Sequence, residues 1–279
     1  MDQQITTKRT IVSIKGNHFE KREDSIAKEY PLTITLNGEE FATMVCSPTD
    51  LKEMVVGFLG SEGIVRFYDD DISSITIDES SGFAHVKLTK EYTIQQQFYS
   101  KRFIGSCCGK SRQSFYFHND AKTAKTATSK TKITAEQCFH LMESLQRQSS
   151  IFQETGGVHN AALATPEGLI LSRTDIGRHN ALDKLYGYCL INRIPVRDKV
   201  LLFSGRISSE VLLKAAKIGV GIMLSKSAPT ELALNMAEEL NITTAGFIRG
   251  GRMNIYTHPE RIILPDPVEK EEAGVNAGQ

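Results

Sequence analysis

Two adjacent cysteines, Cys107 and Cys108, are the residues of this sequence best suited to sulfur chemistry. Four basic residues stand within the surrounding stretch 101–112. Nearby cations lower the pKa of a thiol from about 8.5 and raise the fraction of nucleophilic thiolate. A thiolate in a flexible loop can accept a sulfane sulfur, and its neighbour can intercept or resolve it. The alternative is a pair of inert thiols, because a disulfide between adjacent residues is strained and the pair lacks the spacing of a metal site.

The other three cysteines have patterns typical of core residues. Cys138 and Cys189 lie on apolar faces of predicted helices, and Cys46 precedes a predicted helix cap. The odd total of five cysteines and an N-terminus without a signal-peptide pattern indicate free thiols in a reducing compartment. We therefore expect a cytoplasmic protein. No apolar run approaches the roughly 20 residues of a membrane span.

Basic residues follow three predicted strands at the point where each strand ends. The loops concerned are Ser204-Gly205-Arg206, Ser225-Lys226-Ser227 and Ile248-Arg249-Gly250-Gly251-Arg252. The carboxyl ends of parallel strands meet at one edge of an open sheet, and the N–H groups that open the next helices point to the same place. Any one such loop could simply be solvated. Three together favour a crevice for phosphate or pyrophosphate, on which Arg206, Lys226, Arg249 and Arg252 converge.

A second cluster of functional residue types lies just before a predicted helix. It combines Gly156-Gly157-Val158-His159-Asn160 with Asp175-Ile176-Gly177-Arg178-His179-Asn180. His159 and His179 could orient a ligand or exchange protons near neutral pH. Asp175 or Asn180 could instead cap the helix, and either histidine alone is more typical of a structural role. Together these residues favour a ligand site.

The elements predicted around these residues indicate an α/β protein in several units. Residues 1–105 predict a small α+β domain, with polar and partly loose residues 1–27, a strand over Glu29–Leu36 and a helix capped by Ser47 and Asp50. Residues 106–132 predict a basic cysteine-bearing loop and a solvated linker. Residues 133–265, opened by a Thr134–Gln137 capping box, predict an α/β cofactor-binding domain. A hairpin of Ala161–Ala164 with Leu169–Ser172 comes first, and the strands that then alternate with helices predict a parallel sheet. Residues 266–279 predict a disordered tail.

The overall charge gives no sign of a nucleic-acid or membrane partner. Lys plus Arg equal Asp plus Glu at 33 each, and 40% of residues are hydrophobic. This is ordinary globular composition, and it gives no global argument for binding nucleic acid or a membrane. Any anion site must be a local concentration of basic residues.

Several motifs together resemble the formate dehydrogenase accessory sulfurtransferases along nearly the whole chain. They are Glu29-Tyr30-Pro31-Leu32-Thr33-Ile34, Asn37-Gly38, Gly57-Phe58-Leu59, Glu62-Gly63, Gly156-Gly157-Val158-His159, the segment 175–184, Ser204-Gly205-Arg206, Ala228-Pro229-Thr230 and the segment 246–257. The segments 175–184 and 246–257 are the most specific of these.

The resemblance implies a cytidine-deaminase-like, three-layer α/β domain with a smaller N-terminal domain, in a homodimer. It implies a sulfurtransferase on which a cysteine desulfurase loads a persulfide. The sulfur would pass to molybdenum bis(molybdopterin guanine dinucleotide), bound as a substrate, and so activate formate dehydrogenase. No tightly held metal is implied. The cofactor-binding stretch of the family maps onto Phe247, Ile248, Arg249, Gly250, Gly251 and Arg252.

The sequence departs from the family at the cysteine pair. Members commonly carry Cys-x-x-Cys-Gly, whereas this chain has Ser106-Cys107-Cys108-Gly109, a shorter loop. Cys107 follows serine as the leading family cysteine does, so we expect it to carry the persulfide. Cys108 would assist release or protect the sulfur, although the sequence leaves the reverse assignment open.

Two other functions fit parts of the pattern. A cofactor chaperone without sulfur transfer would use the same strand-end loops, and only the cysteine pair distinguishes it. A zinc-dependent deaminase needs a His- or Cys-x-Glu together with Pro-Cys-x-x-Cys, and the sequence does not contain both.

Overall fold

A computed structural model of the chain describes residues 5–90, 102–104, 124 and 126–265. The backbone alone is described for 102–104. Cys107, Cys108 and the predicted tail 266–279 lie outside the described residues. Within the described ranges, two main sheets and seven α-helices form a mixed α/β fold.

The N-terminal residues form a β-hairpin, so the prediction of a partly loose segment over 1–27 is wrong for the described part. Strands β1 (Thr6–Lys15) and β2 (His18–Ala27) pair antiparallel along their whole length. Gly16 turns the chain with a φ of 61°. The strands were missed because most side chains of the hairpin are exposed, so the sequence lacks the alternation of a half-buried strand.

The first large sheet has five strands in the order β5-β6-β3-β4-β7. Their bounds are β3 (Tyr30–Leu36), β4 (Glu39–Cys46), β5 (Ile72–Asp78), β6 (Phe83–Leu88) and β7 (Arg102–Ile104). Helix α1 (Leu51–Ser61) packs on this sheet, and the short α2 (Tyr68–Asp71) follows it. Leu32, Ile34, Met54 and Leu59 are buried between them, as their spacing predicted.

The capping box predicted for α1 does not form. Asp50 is the N-cap residue, but it adopts a left-handed φ of 51° and its side chain makes no capping hydrogen bond. The Ser47 hydroxyl instead accepts a hydrogen bond from the distant Ile176 N–H at 3.1 Å. The Ser47 hydroxyl therefore makes a tertiary contact instead of the helix cap that the local sequence predicted.

The second large sheet has six strands in the order β10-β9-β11-β12-β13-β14. Their bounds are β9 (His159–Thr165), β10 (Gly168–Asp175), β11 (Val200–Phe203), β12 (Ile222–Ser225), β13 (Thr243–Arg249) and β14 (Arg252–Thr257). The pairs β11–β12 and β12–β13 are parallel and β9–β10 is an antiparallel hairpin, as predicted, whereas β9 and β14 also pair antiparallel with β11 and β13. The sheet is therefore mixed, because hairpins form both of its flanks.

Helices cover both faces of the six-stranded sheet. They are α3 (Ala135–Arg147), α4 (Ser150–Thr155), α5 (Arg178–Ile191), α6 (Ser209–Ile218) and α7 (Glu231–Glu239). The apolar side of α3 packs on one face, and α5, α6 and α7 contribute to the core on the other. The capping box of Thr134 and Gln137 at the start of α3 is present, as predicted. A deaminase-like arrangement of these layers stays a prediction.

The segment before α3 is not a solvated linker where it is described. Ala127 is buried and its N–H donates to the Leu240 carbonyl at 2.8 Å. Asn241 Nδ2 donates in turn to the Ala127 carbonyl at 2.8 Å. This segment therefore packs against the rest of the molecule. Directly after it, β8 (Ile133–Thr134) pairs in parallel with β15 (Ile262–Ile263). The domain boundaries at 105 and 132 stay predictions.

Two glycines let α1 and α5 cross in direct backbone contact. A Cβ added to Gly57 would lie 1.8 Å from the Asp183 carbonyl oxygen. A Cβ added to Gly187 would lie 1.8 Å from the Glu53 carbonyl oxygen. This crossing joins the five-stranded half to the six-stranded half. Over the described ranges, no helix combines the length and the apolar character needed to cross a bilayer.

Candidate functional site

The predicted loops meet at one edge of the six-stranded sheet, which we call the strand-end edge: the carboxyl ends of β10 to β13 and the start of β9. Asn160 N–H donates to Ser204 Oγ at 2.9 Å, and Ser204 N–H donates to the Asn160 carbonyl at 3.0 Å. Ser225 Oγ donates to the Gly205 carbonyl at 2.7 Å. These bonds join the loops that follow β11 and β12 to the start of β9.

The third predicted loop is a hairpin that projects from the same edge. Strand β13 pairs with β12 only from Thr243 to Ala245, and it continues beyond that point to Arg249. Phe247 N–H donates to the Ser227 carbonyl at 3.3 Å, which fixes the base of the projection to the neighbouring loop. The Gly250-Gly251 turn has φ values of 56° and 71°, as a two-residue hairpin of this type requires.

This hairpin presents two cations at its tip and one aromatic ring at its base. Arg249 lies directly opposite Arg252, and both are exposed. Among the described residues, no carboxylate lies within ion-pair distance of either guanidinium. Phe247 is 37% exposed and has a φ of 55°, a left-handed conformation that costs energy for a residue with a side chain. Ile248, also predicted for the site, is buried and anchors the strand instead.

Two further arginines lie near each other beside the edge. Arg206 is exposed, and Arg178 opens helix α5. Partial burial lowers the pKa of Arg178; the nearby Glu210 opposes this shift and the positive charge of Arg206 adds to it. Both guanidiniums stay charged at neutral pH. They add to the positive field that an anionic ligand would meet.

Both predicted histidines are at the edge and are uncharged at neutral pH. Burial lowers the pKa of His159, and neighbouring His179 lowers it further while Asp175 opposes the shift. Burial also lowers the pKa of His179, and the nearby Glu210 is the group that opposes this shift. Nε2 of His179 lies 3.1 Å from Glu210 Oε2, without the alignment of a hydrogen bond. Neutral imidazoles can donate and accept hydrogen bonds, so they suit the orientation of a ligand.

A cavity of about 320 Å³ opens beside the edge on the α3 side. Apolar side chains of α3 and α4, including Leu145 and Phe152, form one wall. The opposite wall is polar and consists of His159, Asn160, Ser204 and Lys226. The cavity is within the size range of small-molecule sites, and none of the described residues that line it is acidic. Sequence reasoning missed the apolar wall, because only packing shows which helix face borders the strand ends.

Comparison with known proteins identifies the family. The profile of the FdhD/NarQ family matches residues 27–263. The chain belongs to the FdhD/NarQ family. A relative from Halalkalibacterium halodurans named sulfur carrier protein FdhD is 76% identical over 92% of this chain and 95% of its own length. A Bacillus subtilis protein of the same name is 59% identical over 94% of this chain and 99% of its own length.

A solved structure shows the same fold. The crystal structure from Desulfotalea psychrophila, named as a formate dehydrogenase accessory protein, superposes with a TM-score of 0.75. It is 24% identical and covers 93% of this chain and 100% of that chain. The two-sheet arrangement described above is therefore a fold that solved proteins adopt.

Three cysteines of this FdhD/NarQ chain are poor nucleophiles. Cys46, Cys138 and Cys189 are buried, as the sequence predicted for the last two. Burial raises the pKa of each thiol to about 12, so each is protonated at neutral pH. The two remaining cysteines of the sequence, the predicted pair Cys107 and Cys108, lie outside the described residues.

The pattern of a zinc deaminase is incomplete in this FdhD/NarQ chain. His258-Pro259-Glu260 matches its His-x-Glu half, but Glu260 Oε1 lies 3.6 Å from His258 Nδ1 and Glu238 Oε2 lies 3.3 Å from Nε2. Both ring nitrogens of His258 thus lie beside glutamate oxygens, and Nε2 also lies 3.1 Å from the Glu238 carbonyl oxygen. Over the described ranges, no three His, Cys, Asp or Glu side chains group as metal ligands.

Proposed function

We propose that this protein is a sulfur carrier with a cysteine persulfide intermediate. It accepts sulfur from a cysteine desulfurase and transfers it to molybdenum bis(molybdopterin guanine dinucleotide), which formate dehydrogenase requires. The observation that carries the proposal is the strand-end edge, to which three separate loops bring cations, beside hydrogen-bonding groups and a cavity that Lys226 lines. The names of the relatives, sulfur carrier protein FdhD, support the sulfur chemistry.

The edge suits the phosphate-containing part of such a cofactor. Arg249 and Arg252 extend from the hairpin without an ion-pair partner among the described residues, so they are available to a pyrophosphate. Lys226 lies in the cavity wall, where its ammonium group can donate to an oxygen of a bound ring. Phe247, exposed at the base of the hairpin, offers an aromatic face for stacking.

The path of the chain supports access of the cysteine pair to this edge. Strand β7 runs parallel to β4, with Ile104 opposite Met44. In the sequence, the cysteine pair follows Ile104 by three and four residues. Ser47 follows Met44 by three residues in the same direction, and it contacts Asp175 and Ile176 at the start of α5.

The sulfur step that we propose is a transfer of sulfur from a persulfide to a thiolate. The carrier thiolate attacks the terminal sulfur of the desulfurase persulfide, which forms a new S–S bond and breaks the old one. The desulfurase cysteine leaves as a thiol or thiolate, and the carrier now holds the terminal sulfur. His159, Lys226 and the arginines of the edge then orient the cofactor that receives it. We place this chemistry in the cytoplasm and in a homodimer.

Single substitutions of the cysteines test the proposal in cells that lack the wild-type protein. Cys107→Ala should fold normally, bind guanosine diphosphate and fail to restore formate dehydrogenase activity. Cys108→Ala should restore part of that activity. If Cys108→Ala is the inactive variant, the two roles are exchanged. Full activity of the double variant would show a cofactor chaperone that transfers no sulfur.

A further inference from the structure

A buried carboxylate joins the two halves of the molecule beside the strand-end edge. Asp175 is fully buried at the end of β10. Its Oδ1 accepts hydrogen bonds from Gly177 N–H at 2.7 Å and from Asn180 Nδ2 at 2.9 Å. Its Oδ2 accepts from Ser47 N–H, in the other half, at 2.9 Å. The carboxylate is thus shared between the turn after β4 and the first turn of α5.

The partner of Asp175 is an equally buried ammonium group. Lys184 is fully buried, and its Nζ lies 2.7 Å from Asp175 Oδ2. It also donates to the carbonyls of Ser47 at 3.2 Å and Thr174 at 3.3 Å. Both charges are therefore paired and hydrogen-bonded. A single ion pair spans β10, α5 and the turn after β4.

Two more bonds hold the same turn. Ile176 N–H donates to Ser47 Oγ at 3.1 Å, and Asn180 Nδ2 donates to the Val45 carbonyl at 2.9 Å. Burying an ion pair costs free energy of desolvation that apolar side chains of the same size would avoid. The need to fill space in the core therefore does not explain why these positions carry charges. A polar network of this kind fixes one relative position of the elements that it joins.

We infer that Asp175 and Lys184 are positioning residues that fix the distance between the two ends of the proposed sulfur path. One end is the turn after β4, toward which the parallel strand β7 also runs. The other end is the start of α5, which carries Arg178 and His179 at the strand-end edge. This inference rests on the proposed function, since it gives the network a role in sulfur transfer.

A paired substitution tests this role without leaving a buried charge unpaired. Asp175→Asn with Lys184→Met should lower the melting temperature. We expect loading of persulfide by a desulfurase with cysteine, and binding of guanosine diphosphate, to stay within about twofold of wild type, because neither step needs both ends of the path at once. Formate dehydrogenase activity per amount of protein should fall roughly 10- to 100-fold, the usual effect of a misplacement of about 1 Å.

A matched control joins the same two halves through bonds that do not involve Asp175 or Lys184. Arg173 on β10 makes a two-point ion pair with Glu53 on α1, with Nη2 to Oε1 at 2.9 Å. Arg173→Met with Glu53→Gln should also lower the melting temperature, but it should keep formate dehydrogenase activity within about twofold. A difference in formate dehydrogenase activity between the two paired variants then reports a change in position rather than a loss of stability.

Asn180→Ala is the second variant, for use if the Asp175 and Lys184 pair cannot be purified. It removes the bond to the Val45 carbonyl and leaves both charges paired. It should give the same result: normal loading and nucleotide binding with reduced dehydrogenase activity. A variant with the dehydrogenase activity of the wild type would overturn the inference. So would a variant in which persulfide loading and nucleotide binding fall in parallel with that activity. If the wild-type protein accepts no sulfur, the proposed function itself fails.

Discussion

At the scale of single residues, His159 and His179 set how the strand-end edge responds to pH. Burial lowers the pKa of both imidazoles below the ordinary value of 6.5. The unfolded chain therefore binds protons at these positions more readily than the folded chain. Stability contributed by the neutral imidazoles is complete above pH 6.5 and is lost as the pH falls toward the lowered values.

We expect His179→Gln to reduce this pH dependence. The difference in melting temperature between about pH 7.5 and about pH 5.5 should be smaller than in the wild type, because one proton-linked group has been removed. Thermal unfolding followed by circular dichroism measures it. His140→Gln, at an exposed position of α3, is the control and should leave the difference unchanged. An equal or steeper dependence in His179→Gln would contradict the assignment.

Residue types predicted the site better than they predicted the partners of each residue. Glycine-flanked His159 and His179 and the basic strand-end loops were visible in the sequence, and the structure brings them to one edge. The pairing of Asp175 with Lys184 was not visible, because helical periodicity does not show that the polar residues Asn180, Asp183 and Lys184 are buried or which groups they face. Such a partner is defined by tertiary packing alone.

At the scale of elements, the β13–β14 hairpin is the part of the edge that we expect to attract an anionic ligand. Arg249→Ala with Arg252→Ala should weaken binding of guanosine diphosphate by at least roughly tenfold at low salt, since even one charge-assisted hydrogen bond contributes about 1.5–3 kcal/mol. The loss should be smaller at high salt, where screening already weakens the attraction. Isothermal calorimetry at two salt concentrations measures both effects.

The other exposed hairpin provides a matched control for this substitution. Arg9→Ala with Arg22→Ala removes two arginines from β1 and β2, so the net charge changes equally. Nucleotide binding should then stay unchanged. A similar loss in both variants would show a general charge effect and would remove the hairpin from the site.

Local signals predicted some elements correctly and failed where a distant group competed. The capping box at Thr134 forms because both of its partners lie within one turn. Ser47 and Asp50 gave a similar signal, but Ser47 bonds to Ile176 and Asp175 of the other half. The β1–β2 hairpin was missed for a different reason, since its exposed faces carry no apolar alternation.

At the scale of the whole molecule, the contact of α1 with α5 joins the two halves. Gly57→Ala would place a methyl group 1.8 Å from a backbone carbonyl that cannot move aside cheaply. We expect destabilisation of at least about 3 kcal/mol, the upper range for overpacking. Urea unfolding measures it. Gly168→Ala, where the added methyl group has open space, should change stability by less than about 0.5 kcal/mol.

The crossing itself could not be predicted from the sequence. Gly57 was visible as part of a motif, but nothing in the chain indicated that it would face Asp183 across a helix pair. The alternation of strands and helices predicted the parallel centre of the six-stranded sheet, while its antiparallel flanks depend on which hairpins dock against it. Long-range pairing of this kind is not encoded in local periodicity.

The most direct test of the sulfur-carrier proposal is mass spectrometry of the purified protein after incubation with a cysteine desulfurase and cysteine. We predict one added sulfur on the peptide that contains Cys107 and Cys108, removable by a thiol reductant. The double variant Cys107→Ala and Cys108→Ala should gain none. Added sulfur on Cys46, Cys138 or Cys189, or none on the wild-type protein, would contradict the proposal.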